Sequence, residues 1–139
     1  MAVEVMSLYK SFGENKVLED VNFSLEEGKI YALVGRNGSG KTTLLKVMAD
    51  IFQKDLGKVN VFGKSCAEDK HILENIVYLP DRFDYFDYIS VEKMLEYYEV
   101  IYPNFNKKFA KKEFEKNNID LKKSLRSFSK GYKNLIGLL

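Results

Sequence analysis

The chain has 139 residues, of which 45% are hydrophobic and 30% charged, as expected for one globular domain or part of one. Its formal net charge of +2 is too small to indicate a nucleic-acid-binding surface. The single cysteine, Cys66, excludes an internal disulfide and a paired-cysteine metal site, and it favours a reducing, cytoplasmic setting. No apolar run approaches the roughly 20 residues of a membrane-spanning helix, and the first residues do not open a signal peptide, so we expect no direct membrane insertion.

Three segments before residue 35 have the patterns of strands. Val3–Phe12 alternates loosely between apolar and polar residues, and Val17–Leu25 places most of its apolar residues near one alternating face. A short turn then leads into an apolar run, Ile30–Val34, that predicts a buried strand. Phe12, in the connection between the first two strands, is either a core phenylalanine or an aromatic that stacks on a purine. Its position alone favours the core.

A glycine-rich loop follows the third strand and leads into an apolar, helix-like segment, Leu44–Phe52. Strand, loop and helix with these spacings are typical of a phosphate-binding loop. Glycines let such a loop curl so that its backbone N–H groups wrap a phosphate, while the helix directs its positive N-terminus at the same place. Lys41 would reach the β- and γ-phosphates, and the Thr42 hydroxyl would ligate Mg²⁺. The residues predicted to bind a nucleotide are Gly35, Asn37, Gly38, Ser39, Gly40, Lys41, Thr42 and Thr43.

The alternative for this loop is a glycine-rich turn that only joins a strand to a helix. The fixed positions of the pattern seldom recur by chance in a chain of this length. The strand before the loop and the helix after it make a chance match rarer still. The sequence therefore predicts nucleotide binding.

Two more strand patterns lie beyond the loop helix. Lys58–Phe62 alternates, and Asn75–Leu79 reads as a buried strand stopped by Pro80. His71, the only histidine, stands in a charged stretch between them. We expect it to be a solvated surface residue rather than a catalytic base.

Asp81–Tyr88 interleaves aromatic and acidic residues. The acids would repel a nucleic-acid backbone, so the segment does not predict RNA binding, whereas Tyr and Phe favour a docking face for a partner protein. Ser90 has the position of an N-cap, and helical spacing predicts a helix over Val91–Ile101. Asn106 begins another predicted helix, whose lysine-rich face we expect to be solvated.

The last residues are apolar: Leu135, Ile136, Leu138 and Leu139. A soluble domain rarely ends in a bare apolar run, because exposed apolar surface favours association. We expect a helix that is cut midway, or one docked on something outside the chain.

The order of features along the chain resembles the ATP-binding subunit of ABC transporters. The phosphate loop, a strand ending in Tyr78-Leu79-Pro80, a helical insert and then Phe128-Ser129-Lys130-Gly131-Tyr132 are most similar to the drug-, bacteriocin- or bacitracin-export type. The resemblance implies an α/β P-loop NTPase fold of the ABC ATPase type, with an N-terminal antiparallel β subdomain and a helical insert, ending before the Walker B strand. It divides the chain into a β subdomain and P-loop core, 1–80, and a Q-loop, helical subdomain and signature segment, 81–139.

The resemblance also implies roles for residues outside the loop. Phe12 takes the adenine-stacking position, which reverses the preference for a core residue. Asp81 stands where the family has the Q-loop glutamine, which links the site of Mg²⁺ and water with the contact to the membrane partner. The resemblance therefore implies Lys41 and Asp81 as candidate catalytic residues. It implies Thr42 and Asp81 as candidate metal ligands. Ser129 and Gly131 are signature residues, which in the family meet the γ-phosphate bound by the opposite subunit.

Departures from the family pattern limit what the resemblance implies about catalysis. Lys130 replaces the second glycine of the signature and Tyr132 its glutamine. The family's Mg²⁺-binding aspartate, water-polarising glutamate and switch histidine follow the signature and are not among these 139 residues, and His71 lies upstream of it. We therefore expect this chain by itself to bind MgATP without hydrolysing it.

The implied function is that of an ATP-binding subunit that couples ATP binding and hydrolysis to transport through a separate transmembrane permease. Two such subunits would sandwich two ATP molecules, on the cytoplasmic side of the membrane. One alternative is a non-hydrolysing ATP-binding module or fragment. Another is a different P-loop enzyme, such as a small kinase or GTPase, although the signature segment and the helical insert argue against it. The transported substrate is not readable from the sequence.

Overall fold

A computed structural model describes residues 1–81, 86–102 and 104–138 of the chain. The chain forms two compact units, Met1–Tyr78 and Leu79–Leu139. The phosphate loop belongs to the first unit, and the segment around Ser129 belongs to the second.

The first unit is built on an antiparallel sheet of three strands. These are β1 (Val3–Phe12), β2 (Asn15–Leu25) and β3 (Leu56–Val61), in the order β2-β1-β3. One helix, α1 (Lys41–Met48), supplies apolar side chains to the same core as the sheet. That core consists of the buried residues Val5, Leu8, Leu18, Leu44, Val47 and Val59. Burial of this apolar area is the main stabilising term for a unit of this size. The antiparallel β subdomain is thus confirmed.

Two predicted strands of the first unit are not formed. Within the described residues, the segments 30–34 and 75–79 have no strand pairing, and Ile30 and Val34 are about as exposed as in an extended chain, at 101% and 88%. An apolar run shows that a segment is suited to burial, but a strand exists only where a neighbouring strand accepts its backbone hydrogen bonds. The prediction of strands at these two places is therefore wrong for this structure.

The loop helix begins earlier and ends earlier than the sequence pattern indicated. The predicted segment was Leu44–Phe52, whereas α1 runs from Lys41 to Met48. Beyond Ala49 the backbone leaves the helix, and the N–H groups of Ile51 and Phe52 both donate to the carbonyl oxygen of Lys46. This closing turn places Phe52 beside the end of α1.

The second unit is helical. Its elements are α2 (Val91–Ile101), α3 (Lys107–Lys116), a short 3₁₀ helix (Leu125–Ser127) and α4 (Lys130–Leu138). The predicted cap at Ser90 is confirmed, because its hydroxyl accepts the N–H of Lys93. The predicted helix start at Asn106 is confirmed as well, since the Asn106 side chain caps α3 by accepting the N–H of Phe109. The buried core is Val91, Met94, Leu95, Ala110, Phe114, Ile119, Leu125 and Ile136.

The apolar end of the chain packs into its own unit. Ile136 is 2% exposed within the helical core, and Leu135 packs against that core. The expectation of a bare or externally docked apolar end is therefore wrong for these two residues.

The predicted aromatic docking segment, Asp81–Tyr88, falls partly outside the described residues, because 82–85 are not among them. Of its other aromatic residues, Tyr88 is 85% exposed and Phe86 packs edge-on against Tyr97 and Tyr98.

None of the helices in the described ranges has the length and apolar character needed to span a bilayer.

Candidate functional site

Two glycines of the predicted phosphate loop, Gly35 and Gly40, occupy positions where a side chain does not fit. Gly40, directly before α1, has φ +86, and a Cβ there would lie 3.0 Å from the carbonyl oxygen of Val17 on β2. A Cβ on Gly35 would lie 2.8 Å from the Ser39 hydroxyl oxygen. The loop is therefore curled on itself and pressed against the sheet, as close backbone wrapping of an anion requires.

The curl leaves backbone donors without partners at the start of α1. Among residues 1–81, Ser39 is the loop residue whose N–H is bonded, to the carbonyl oxygen of Arg36 at 3.2 Å. The helix has no side-chain cap. Among the described residues, no backbone or side-chain acceptor lies on the N–H groups of Asn37, Gly38, Gly40, Lys41, Thr42 and Thr43. Such a row of amides at a helix N-terminus is an anion-binding concavity.

Lys41 turns its ammonium back over the loop. Its Nζ donates to the carbonyl oxygens of Gly35, at 2.8 Å, and Arg36, at 2.7 Å. A lysine ammonium has three N–H groups, so one remains for an anion after these two bonds. The two carbonyls hold the positive charge at the loop and lower the entropic cost of recruiting it.

Thr42 is exposed at the first turn of α1. Within residues 1–81 its hydroxyl has no hydrogen-bonding partner. Among the described residues, no three His, Cys, Asp or Glu side chains converge as a ready metal site. A hard cation such as Mg²⁺ is commonly held by one or two protein oxygens together with substrate phosphates, and an exposed hydroxyl beside a phosphate loop fits that arrangement.

Phe12 ends β1 within the same unit as the loop. The residue is 46% exposed, and its ring lies edge-on to the ring of Phe52, with 5.5 Å between centroids. The β1–β2 hairpin that carries Phe12 is also the part of the sheet that Gly40 touches, at Val17 and Leu18. Phe12 is therefore an aromatic surface on the same hairpin that supports the phosphate loop.

The other predicted site residues lie in the second unit. Asp81 forms an ion pair with Lys130, at 2.9 Å, and both side chains are largely exposed. Ser129 caps the helix that follows it, because its hydroxyl accepts the N–H of Tyr132 at 3.3 Å. Gly131 is uncrowded, since a Cβ there would meet only the Ser129 hydroxyl, at 4.0 Å. The structure thus gathers Asp81, Ser129 and Gly131 around the start of α4.

His71 is a surface residue, as predicted. Its side chain is 86% exposed, and Nδ1 lies 2.9 Å from a carboxylate oxygen of Glu74. The hydrogen bond to this carboxylate raises the pKa of His71 above its ordinary value of 6.5. An exposed histidine paired with a glutamate three residues away is a surface ion pair, and it lies outside the loop.

Comparisons with known proteins show which family this chain is similar to. The family profile described as ABC transporter matches residues 18–139. The ABC transporter ATP-binding protein YtrB of Bacillus subtilis is 31% identical over 137 residues, which are 99% of this chain and 47% of YtrB. The chain therefore spans about half the length of that relative.

Solved structures share the fold. A structure of an ATP-binding subunit of an ABC transporter matches 99% of this chain and 60% of its own, with a TM-score of 0.82 at 23% identity. An ABC transporter ATP-binding protein from Pyrococcus furiosus matches 98% of this chain and 67% of its own, with a TM-score of 0.78 at 28% identity.

Fold and loop together define the class, an α/β P-loop NTPase with an N-terminal antiparallel β subdomain and a helical insert. Since the family profile covers most of the chain, the chain belongs to the ABC transporter family.

Proposed function

We propose that this chain binds MgATP as the nucleotide-binding part of an ABC transporter. The observation that carries the proposal is the combination at α1 of a row of amides without acceptors and an ammonium held over the same loop. A triphosphate supplies the negative charge and the acceptor oxygens that this arrangement lacks.

Each part of the ligand has a matching group in the first unit. The loop amides and Lys41 would bind the β- and γ-phosphates, and the exposed Thr42 hydroxyl would be a ligand of Mg²⁺. Phe12 would stack on the adenine, because its ring is half exposed on the hairpin that supports the loop. When bound, Mg²⁺ would neutralise charge on the phosphates.

The second unit would serve assembly with a second copy. Ser129 and Gly131 would contact the γ-phosphate held by the opposite subunit, and Asp81 would lie at the contact with the membrane partner. In this role the chain works beside a transmembrane permease on the cytoplasmic face of the membrane, and ATP hydrolysis by the whole protein drives transport. A solved structure with this fold is an ATP-binding subunit of an ABC transporter, which supports an assembly of several chains.

A non-hydrolysing ATP-binding module remains the alternative. Such a module would have every feature of the first unit, so ATP binding alone does not distinguish it from the transport ATPase. Release of phosphate by the protein above the level of a Lys41→Ala variant would favour the transport ATPase.

The decisive experiment is calorimetric titration of the chain with MgATP, using Lys41→Ala as the test variant. We expect Lys41→Ala to abolish measurable binding, because it removes the charge that the loop carbonyls hold in place. Lys58→Ala, which removes an exposed lysine from β3, is the matched control and should bind like the wild type. Unchanged affinity of Lys41→Ala would overturn the proposal.

A further inference from the structure

A cation covers one face of the exposed ring of Phe12. Lys10, two residues earlier on β1, places its Nζ 5.1 Å from the centroid of that ring. Its side chain is only 14% exposed, which is unusual for a lysine. A cation at this distance over an aromatic face is attracted by the ring quadrupole. One face of Phe12 is therefore taken by the protein itself.

Lys10 is held in that place by Asp55. The Asp55 carboxylate accepts the ammonium of Lys10 at 3.0 Å through one oxygen and the N–H of Ser11 at 2.6 Å through the other. The N–H of Asp55 donates to the carbonyl oxygen of Tyr9 at 3.0 Å. The bond from Lys10 is the main cause that lowers the pKa of Asp55 below its ordinary value of 3.8, so the carboxylate is ionised at neutral pH. Asp55 thus clamps the end of β1 and neutralises Lys10.

The ring is also tied to the helix that carries the phosphate loop. Phe52 contacts Phe12 edge-on, and the Nζ of Lys46 on α1 lies 4.9 Å from the centroid of the Phe52 ring. The N–H of Phe52 donates to the carbonyl oxygen of Lys46 at 3.1 Å. A continuous set of contacts therefore runs from α1 through Phe52 to Phe12, and it fixes the ring relative to the loop helix.

We propose that Lys10, held by Asp55, is a positioning residue for the nucleotide base: it occupies one face of Phe12 and leaves the other face for a purine. This inference rests on the proposed function. A ring fixed in advance loses less conformational freedom when a base stacks on it. Because the charge of Lys10 is engaged by Asp55 and the ring, its effect falls on the base and not on the phosphates.

The test compares MgATP with magnesium tripolyphosphate, which has the phosphates but no base. We expect Lys10→Met, which keeps the apolar stem and removes the charge, to weaken MgATP binding about two- to fivefold and to leave tripolyphosphate binding unchanged. Lys10→Arg should retain MgATP affinity, because a guanidinium both stacks on a ring and pairs with a carboxylate. Lys16→Met removes a lysine paired across the ladder with Ser11 and should match the wild type with both ligands.

A double-mutant cycle with Phe12→Ala separates positioning from a general structural role. In the Phe12→Ala background, Lys10→Met should cause no further loss of MgATP affinity, since the ring it positions is gone. If Lys10→Met does not fold, Asp55→Asn makes the same test, because the amide oxygen still accepts the N–H of Ser11 while the ion pair to Lys10 is lost.

Three results would overturn the inference. Equal losses for MgATP and tripolyphosphate would show that Lys10 acts through its charge on the phosphates. Unchanged MgATP affinity in Lys10→Met would show that the ring needs no positioning, while the proposed function would stand. Absence of MgATP binding by the wild-type chain would remove the proposed function and the inference together.

Discussion

The helices α1 and α4 both begin with a lysine that directly follows a small residue, and their N-termini differ in how many donors are available to an anion. Before α1, Gly40 is left-handed and no side chain caps the helix, so the amides lack acceptors. Before α4, the Ser129 hydroxyl accepts the N–H of Tyr132, and the Ser129 carbonyl accepts the N–H of Lys133. The first end has no side-chain cap, whereas at the second end the serine hydroxyl accepts one of the N–H groups.

The two lysines differ in the same sense. Lys41 folds back onto the carbonyl oxygens of its own loop, while Lys130 extends to the carboxylate of Asp81, 49 residues earlier in the sequence. The dipole of a helix N-terminus therefore does not by itself bring several donors and a charge together. The geometry of the residues before it decides whether donors and charge converge on one point.

The glycines at the two helix N-termini, Gly40 and Gly131, differ in how much space surrounds them. Gly40 is required by the fold, because its own backbone is left-handed and a Cβ there would crowd the backbone of Val17. Gly131 is not required by the fold of its own chain, since the space around it is open. A glycine without a local reason is consistent with the close approach of a ligand held elsewhere, as proposed for a second copy.

The largest effect on MgATP binding in this comparison should come from a substitution in the loop before α1. We expect Gly40→Ala to weaken MgATP binding by at least about tenfold, because an L-residue in the left-handed region costs roughly 1–2 kcal/mol and the new Cβ crowds Val17. Calorimetric titration measures the loss, and far-UV circular dichroism checks that the variant is folded.

Gly131→Ala is the matched control for that substitution. Because the proposed contact of Gly131 is with a nucleotide on a second copy, the variant should leave the MgATP affinity of the monomer unchanged. It should raise stability by about 0.5–1 kcal/mol, because alanine is the better helix former at an uncrowded site. A loss of MgATP affinity in Gly131→Ala would contradict the distinction between the two ends.

Removal of the base contact should have an effect of similar size on MgATP binding. We expect Phe12→Ala to weaken MgATP binding by about 1–3 kcal/mol and to spare tripolyphosphate, since only the base stacks on the ring. Calorimetry with both ligands makes the measurement. Equal losses of affinity for both ligands would count against stacking. The nucleotide would then be bound in the first unit by the loop alone.

The smallest effect concerns the cap of the second end. We expect Ser129→Ala to lower stability by about 1 kcal/mol, because the N–H of Tyr132 loses its acceptor. Ser39→Ala, before the helix without a side-chain cap, should not change stability. Urea unfolding of both variants measures the difference, and equal destabilisation would show that the two ends are capped alike.

Local signals predicted several elements well. The three strands of the antiparallel sheet and the starts of α2 and α3 were read from apolar periodicity and from caps at Ser90 and Asn106, which are set by residues close in sequence. The glycine loop was predicted for the same reason. The prediction of strands at 30–34 and 75–79 was wrong, because their apolar patterns show suitability for burial and say nothing about which strand pairs with them.

The amino-acid sequence alone determined the phosphate loop, its lysine and the family resemblance, because these depend on residue types at short, fixed spacings. Tertiary structure decided which charges meet. Lys10 forms an ion pair with Asp55, 45 residues away in the sequence, and Lys130 forms one with Asp81, 49 residues away. No periodicity encodes such pairs, since they form only after packing has brought distant segments into contact.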